Sequence, residues 1–124
     1  MRRGRTTRGA KRPEEVGPTP LELIRPEREG STKLSLAQAT VEPGASTHRH
    51  IHRQAEEVYY VLSGEGAVEV GGAVERVGPG DARLIPPGVE HRVTAIGAEP
   101  LVILCACSPP YRHEDTELTE PVRV

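Results

Sequence analysis

Short apolar runs in this 124-residue chain are interrupted at close intervals by glycine and proline, of which there are 13 and 12. The clusters Gly71-Gly72 and Pro86-Pro87-Gly88 are typical turn sequences, and the first predicts a two-residue hairpin. No segment shows convincing helical periodicity. This punctuation favours many short strands joined by tight turns, which predicts an all-β sandwich or barrel.

Nine strands are predicted from runs in which apolar residues alternate with polar ones. They are Leu21–Ile24, Lys33–Val41, Thr47–His52, Glu57–Leu62, Gly66–Val70, Ala73–Val77, Ala82–Ile85, His91–Ala95 and Leu101–Cys107. These strands place a β-barrel domain at residues 21–108. Residues 1–20 are interpreted as a basic, proline-rich tail or linker, and residues 109–124 as a polar C-terminal tail.

The apolar composition limits both the core and the cellular location. The chain has no Phe or Trp and only three Tyr, so Val, Leu, Ile and Ala must form the core. The longest apolar run, Leu101–Cys107, is far shorter than the roughly 20 residues of a membrane helix. No apolar segment follows the basic N-terminus as in a secretory signal. We therefore expect a cytoplasmic protein without a membrane segment.

The two cysteines, Cys105 and Cys107, are two positions apart in a predicted strand. Their backbones would then be roughly 6.6 Å apart with both side chains on one face, too far for an unstrained disulfide. We expect both to pack as small apolar side chains.

Charge is distributed unevenly along the chain. Residues 1–15 carry six basic and two acidic groups, whereas the rest carries ten basic and sixteen acidic groups. The basic tail is interpreted as a solvated arm; a weak anion or nucleic-acid contact, or packing on the chain or a partner subunit, is left open. The acidic body disfavours nucleic-acid binding.

Histidines recur at every second residue in one predicted strand. His48, His50 and His52 would therefore project from one face, with Glu57 at the start of the next strand and His91 at the start of a later one. Three imidazoles and one carboxylate suit a borderline divalent metal. The spacing also allows ordinary structural or surface histidines, and this alternative stays open on spacing alone.

Residues Gly44–Gly64 match the pattern G-x5-H-x-H-x4-E-x6-G, and residues Gly80–His91 match the pattern G-x5-P-x-G-x2-H. These two stretches resemble the two sequence motifs of the cupin family. The second motif usually continues to an Asn, where this chain has Ala95. Fifteen residues separate the two motifs, a gap similar to that of small single-domain bacterial cupins.

The resemblance implies a double-stranded β-helix, or jelly-roll barrel, that binds one divalent metal. Its implied ligands are His50, His52, Glu57 and His91. Both the spacing to Gly64 and the strand alternation favour Glu57 over Glu56.

Inward neighbours of these ligands are candidates for substrate chemistry. His48 is a candidate catalytic residue for proton transfer, and Tyr59 for a hydrogen bond to a substrate oxygen. The alternatives are a position at the rim for His48 and a core position for Tyr59. Ala95 offers no polar group.

The resemblance leads to a functional hypothesis with two alternatives. The first is a small metalloenzyme of dioxygenase or isomerase type that acts on an oxygen-rich small molecule through Fe, Mn, Ni or Zn. The alternatives are a non-catalytic metal-bearing module that binds or senses a small ligand, and a structural cupin. We also expect a homodimer, with Leu21–Ile24 as a candidate exchanged strand.

Overall fold

The computed structural model describes residues 10–11, at the backbone level, and residues 20–120. Eleven strands lie in these ranges: β1 (Ala10–Lys11), β2 (Leu21–Ile24), β3 (Ser35–Val41), β4 (His50–His52), β5 (Glu56–Ser63), β6 (Gly66–Val70), β7 (Ala73–Val77), β8 (Ala82–Ile85), β9 (His91–Ala95), β10 (Leu101–Ser108) and β11 (Thr116–Leu118). A single helical turn, α1 (Pro26–Glu29), follows β2, and a 3-10 turn (His113–Asp115) precedes β11.

The strands form two antiparallel sheets. The first has the order β1-β2-β3-β10-β5-β8 and the second the order β11-β4-β9-β6-β7. This arrangement confirms the prediction of an all-β, double-stranded β-helix fold. Among the described residues, no helix is long and apolar enough to cross a bilayer.

Side chains from both sheets fill one core between them. The first sheet contributes Val41, Val61 and Ile103, and the second contributes Val68 and Val93, each nearly inaccessible to solvent. In β6 and β9, buried residues alternate with partly exposed ones, as expected for strands with one face toward a core. The aliphatic core predicted from the missing Phe and Trp is confirmed.

One glycine of the first motif is required by close backbone packing. Gly64 has a φ of 81°, and a Cβ built on it would lie 2.3 Å from the carbonyl oxygen of Pro100. Both its left-handed conformation and its surroundings therefore exclude a side chain. The turn that it allows joins β5 to β6 beside the start of β10.

The nine predicted strands are all present, but some of their ends differ. The strand predicted from Thr47 begins only at His50. Before it, the Thr47 N–H donates to the Val93 carbonyl and Ser46 forms an isolated bridge with Thr94. The pairing therefore does not run continuously from Thr47 to His52, and the prediction for residues 47–49 is wrong.

Four elements were not predicted: β1, α1, the 3-10 turn and β11. The helical turn has recognisable signals, because Pro26 occupies its first turn and Gly30 ends it with a φ of 79°. It is too short to show a hydrophobic period, so periodicity could not find it. The strands β1 and β11 have two and three residues and lie in segments interpreted as tails.

Candidate metal centre

Four side chains from three strands converge between the sheets. His50 and His52 lie on β4, His91 begins β9, and Glu57 faces them from β5 in the opposite sheet. One donor atom of each residue lies within 4.8 Å of those of the other three. The structure therefore brings together the four residues whose spacing suggested a metal site.

The distances within this cluster suit a shared ion. Glu57 Oε1 lies 3.3 Å from His52 Nε2 and 3.4 Å from His91 Nε2. Two donors held at about 2.1 Å by one tetrahedral ion would lie about 3.4 Å apart. Glu57 Oε1 and His91 Nε2 are also buried polar atoms that have no hydrogen-bond partner among the described residues. Such buried polar atoms without a partner are rare in folded proteins, and a cation between them would satisfy both.

The Nδ1 atom of each imidazole is held by an oxygen outside the cluster. His50 Nδ1 lies 2.7 Å from the His48 carbonyl, and His91 Nδ1 lies 2.9 Å from the Val89 carbonyl. A carbonyl only accepts, so both Nδ1 atoms carry a hydrogen. A neutral imidazole then presents a lone pair at Nε2, which is the form that binds a metal.

Burial and neighbouring charges act on the titration of the cluster. Burial, followed by the neighbouring His91, lowers the pKa of His50 from 6.5 to about 4, so its imidazole is neutral near pH 7. Burial alone raises the pKa of Glu57, but the facing imidazoles of His52 and His91 more than offset this and hold it well below its ordinary value. The cluster thus presents an ionised carboxylate, the form that binds a metal.

A thiol supports the carboxylate from the first sheet. Cys107 lies on β10, directly opposite Glu57 on β5, and its Sγ donates to Glu57 Oε2 at 3.3 Å. Cys105 and Cys107 are not joined by a disulfide, as predicted. The interpretation of Cys107 as a small apolar side chain omitted this contact, because the register between β5 and β10 is not visible in the sequence.

A cavity of about 330 Å³ opens beside the cluster. Tyr59 lines it, is almost fully buried, and stacks edge-to-face with the ring of His91 at a centroid distance of 6.0 Å. His48 also lines the cavity, although it is not part of β4 as the predicted alternation required. Its Nδ1 lies 3.8 Å from Glu120 Oε1, so it sits at a polar edge of the cavity.

The C-terminal segment, defined here as residues 111–120, forms one wall of this cavity and contacts β4. Strand β11 pairs with β4 along its whole length, with Thr116 opposite His52. The Asp115 carboxylate accepts the N–H groups of Gln54 and Ala55, in the loop between β4 and β5, at 2.9 and 3.1 Å. The segment predicted to be a polar tail therefore contributes Tyr111, His113, Thr116 and Leu118 to the cavity lining.

The arginines that alternate with the β4 histidines face this segment as well. Arg53 forms an ion pair with Glu117 at 2.7 Å, and Arg49 lies 3.7 Å from Glu120. Both arginines thus pair with carboxylates outside the cluster.

A larger groove of about 630 Å³ lies between the α1 region and residues 109–114. Its lining includes Arg25, Glu27 and Arg112 but none of the four cluster residues. Of these two, the cavity of about 330 Å³ is the better candidate for ligand binding, because its lining includes His50, His52 and Glu57.

Comparison with known proteins identifies similar sequences and folds. A family model described as a Cupin domain matches residues 37–107, which contain all four cluster residues. The uncharacterized protein MJ1618 of Methanocaldococcus jannaschii is 43% identical over 99 residues, which cover 80% of this chain and 79% of that protein. L-ectoine synthase of Vibrio cholerae is 38% identical over 80 residues, covering 63% of this chain and 57% of the enzyme.

A solved structure shares the same architecture. An uncharacterized conserved protein with a double-stranded β-helix domain from Klebsiella pneumoniae superposes with a TM-score of 0.72. The match covers 89% of this chain and 90% of the other, with 22% sequence identity. At that identity the likeness shows the fold alone.

Proposed function

The chain belongs to the cupin family, and we propose that it is a small metalloenzyme that acts on an oxygen-rich small molecule. His50, His52, Glu57 and His91 would hold one divalent transition metal. The observation that carries this proposal is the pair of buried, orphaned atoms, Glu57 Oε1 and His91 Nε2, which face each other at 3.4 Å. Without a cation or a proton between them, their lone pairs would repel each other.

The four residues fit a metal that keeps free coordination positions. A bound ion would polarise a substrate oxygen or stabilise negative charge on it, in a reaction of dioxygenase or isomerase type. Three neutral imidazoles and one carboxylate are compatible with Fe, Mn, Ni or Zn. The protein's part is to hold the imidazoles in the Nδ1–H form, to exclude water from the buried side of the cluster and to shape the cavity.

The charge around the cavity narrows the substrate class. A divalent ion with the Glu57 carboxylate leaves one net positive charge, and no described residue that lines the cavity is Lys or Arg. This balance favours a ligand with a single anionic oxygen group, such as a hydroxy acid, a keto acid or an enolate. It disfavours doubly charged phosphate esters, which usually require Arg or Lys contacts.

His48 and Tyr59 are the proposed substrate-contacting residues. His48 lies at the cavity edge with its imidazole partly exposed, where it can exchange a proton with solvent. Tyr59 packs on His91 and lines the cavity wall, from which its hydroxyl would orient a substrate oxygen.

The test begins with metal content and continues with turnover. Natively expressed protein is analysed for iron, manganese, nickel and zinc, then stripped and reloaded with each metal. Each form is incubated with hydroxy acids, keto acids and sugar phosphates. Turnover of a singly charged oxygen ligand, lost in Glu57→Gln and kept in Glu56→Gln, supports the proposal. Protein that neither carries nor takes up any of these metals contradicts it.

A non-catalytic binding module is the second candidate. Pro20, Ala39 and Leu118 make part of the cavity wall apolar, which would suit a ligand that is held rather than converted. A rise in melting temperature with one compound of the panel, without turnover under any metal, would favour this function. Metal binding without either effect would favour a structural role.

Homodimer formation stays a prediction. In this structure β2 pairs with β3 of its own chain, and the apolar side chains of Tyr60, Leu62 and Leu84 are exposed. Burial of such surface would support association. Light scattering at micromolar concentration tests it, and a monomer there would contradict it.

A further inference from the structure

The three imidazoles of the cluster are not held in the same way. His50 and His91 each contact the carbonyl of the residue two positions earlier, so the local backbone fixes them. His52 Nδ1 instead lies 3.1 Å from the side-chain oxygen of Thr116, which is 64 residues away in sequence. Among these three contacts, only this one depends on a side chain that a point mutation can remove.

The hydroxyl of Thr116 has a second partner that determines its direction. Thr116 Oγ1 also lies 3.3 Å from the carbonyl oxygen of Arg112. A carbonyl oxygen only accepts, so the hydroxyl hydrogen points to Arg112. The remaining lone pairs of Oγ1 then face His52, and Nδ1 must supply the hydrogen of that contact.

Strand pairing holds this hydroxyl in place. Thr116 is directly opposite His52 in the β4–β11 pair, and the Arg53 N–H donates to the Asp115 carbonyl at 2.9 Å beside it. His52 is almost fully buried, so its ring has little freedom to find another partner. The His52 ring, the Thr116 hydroxyl and the Arg112 carbonyl are therefore connected by two consecutive hydrogen bonds.

We propose that Thr116 is a positioning residue that holds His52 in the Nδ1–H tautomer and directs its Nε2 lone pair to the point that the four cluster residues share, where the metal would bind. This inference deepens the proposed function and rests on it, since the purpose of that tautomer is to bind the metal. Loss of an outer hydrogen-bond partner of a ligating His typically lowers metal affinity by about 10–100-fold.

The test uses two substitutions at Thr116 and one control. Thr116→Val keeps the shape and removes the hydroxyl, whereas Thr116→Ser keeps the hydroxyl. Glu117→Gln is the matched control, because Glu117 is on the same strand but pairs with Arg53 in solvent. Chelator competition with zinc measures affinity: we expect about 10–100-fold weaker binding for Thr116→Val and a change within a few-fold for the other two.

A second readout needs no metal. Nitrogen-15 NMR of the histidine side chains in metal-free protein distinguishes Nδ1–H from Nε2–H, with His50 and His91 as internal references. Nδ1–H at His52 in the wild type, weakened or lost in Thr116→Val, supports the proposal. Nε2–H at His52 in the wild type overturns it, as does wild-type zinc affinity in Thr116→Val.

The two proposals fail in different ways. If the wild-type chain binds none of the metals, the proposed function is wrong, and the wild-type NMR spectrum still decides the tautomer. If Thr116→Val does not fold, the zinc affinity of Thr116→Ser and the wild-type NMR spectrum decide the outcome. A lower melting temperature of Thr116→Val with unchanged affinity would mean a purely structural role and would contradict the inference.

Discussion

The strand that carries Glu57 and the strand that carries His50 and His52 are held by very different amounts of pairing. Strand β5 pairs with β10 through seven residues and with β8 through four. Strand β4 shares a single residue pair with β9, between His50 and His91, and three with β11. The carboxylate is therefore fixed by the interior of a sheet, whereas two of the three imidazoles depend on the C-terminal segment.

The site therefore has two parts. Strand β5, with Glu57, is positioned by the sheet on both of its sides, whereas β4, with His50 and His52, also needs the C-terminal segment. The turn before β9 gives β4 one further contact, because the Gly88 N–H donates to the His52 carbonyl at 2.7 Å. In the described part of the chain, the remaining strand pairing of β4 is with β11. Substitution of Glu57 should then change metal binding directly, whereas substitution of Thr116 or Asp115 should change it through β4.

The largest effect is expected at Glu57, whose strand is paired on both sides. Glu57→Gln removes the only negative charge of the cluster, and β5 cannot shift to offer a replacement. We expect metal affinity to fall at least about 100-fold, more than the loss of a supporting hydrogen bond costs. Isothermal titration with zinc measures it. Glu56→Gln is the control, since Glu56 is exposed on the opposite face; equal affinities of the two variants would contradict the assignment.

The stability of the metal-free protein should depend on pH through His50, on β4. The unfolded chain protonates His50 near pH 6.5 and the folded chain only near pH 4, so the unfolded state binds more protons between these values. Stability of the metal-free protein should be complete above pH 6.5 and fall toward pH 4, by up to about 3 kcal/mol from this residue. Urea unfolding at several pH values, with a chelator present, measures the decline.

The matched control for this decline is a variant without the titrating group. His50→Gln should lose less stability than the wild type between pH 7 and pH 4.5, and His113→Gln should lose as much as the wild type. A decline that is unchanged in His50→Gln would show that other groups determine the acid sensitivity.

A smaller effect is expected where the C-terminal segment binds the β4–β5 loop. Asp115→Ala leaves the N–H groups of Gln54 and Ala55 without their carboxylate, which should cost about 1–2 kcal/mol of unfolding free energy. Metal affinity should fall roughly tenfold, because the loop follows His52 directly. Glu114→Ala, at an exposed neighbouring carboxylate, should change neither quantity. If Asp115→Ala lowers stability without affecting zinc affinity, β4 does not depend on this segment.

The position of Glu57 could be predicted from the sequence more completely than the contact that supports His52. Motif spacing and strand alternation were enough to select Glu57 over Glu56, and the glycine and proline turns located all nine predicted strands. The role of Thr116 had no such signal. Its strand has three residues in a polar context, and its partner His52 is 64 positions away. Local patterns report which face a residue occupies, but not which distant strand lies beside it.

The smallest expected effect concerns Cys107, which contacts Glu57 from β10. Cys107→Ala removes the thiol that donates to Glu57 Oε2, but the pairing of β5 with β10 keeps the carboxylate in place. Zinc affinity should therefore fall less than tenfold, below the loss expected for Thr116→Val. Cys107→Ser restores a donor and should recover most of the loss, whereas Cys105→Ala, two residues earlier on the same strand, serves as the control. A larger loss for Cys107→Ala than for Thr116→Val would reverse the comparison: the support of Glu57, rather than that of His52, would then limit metal binding.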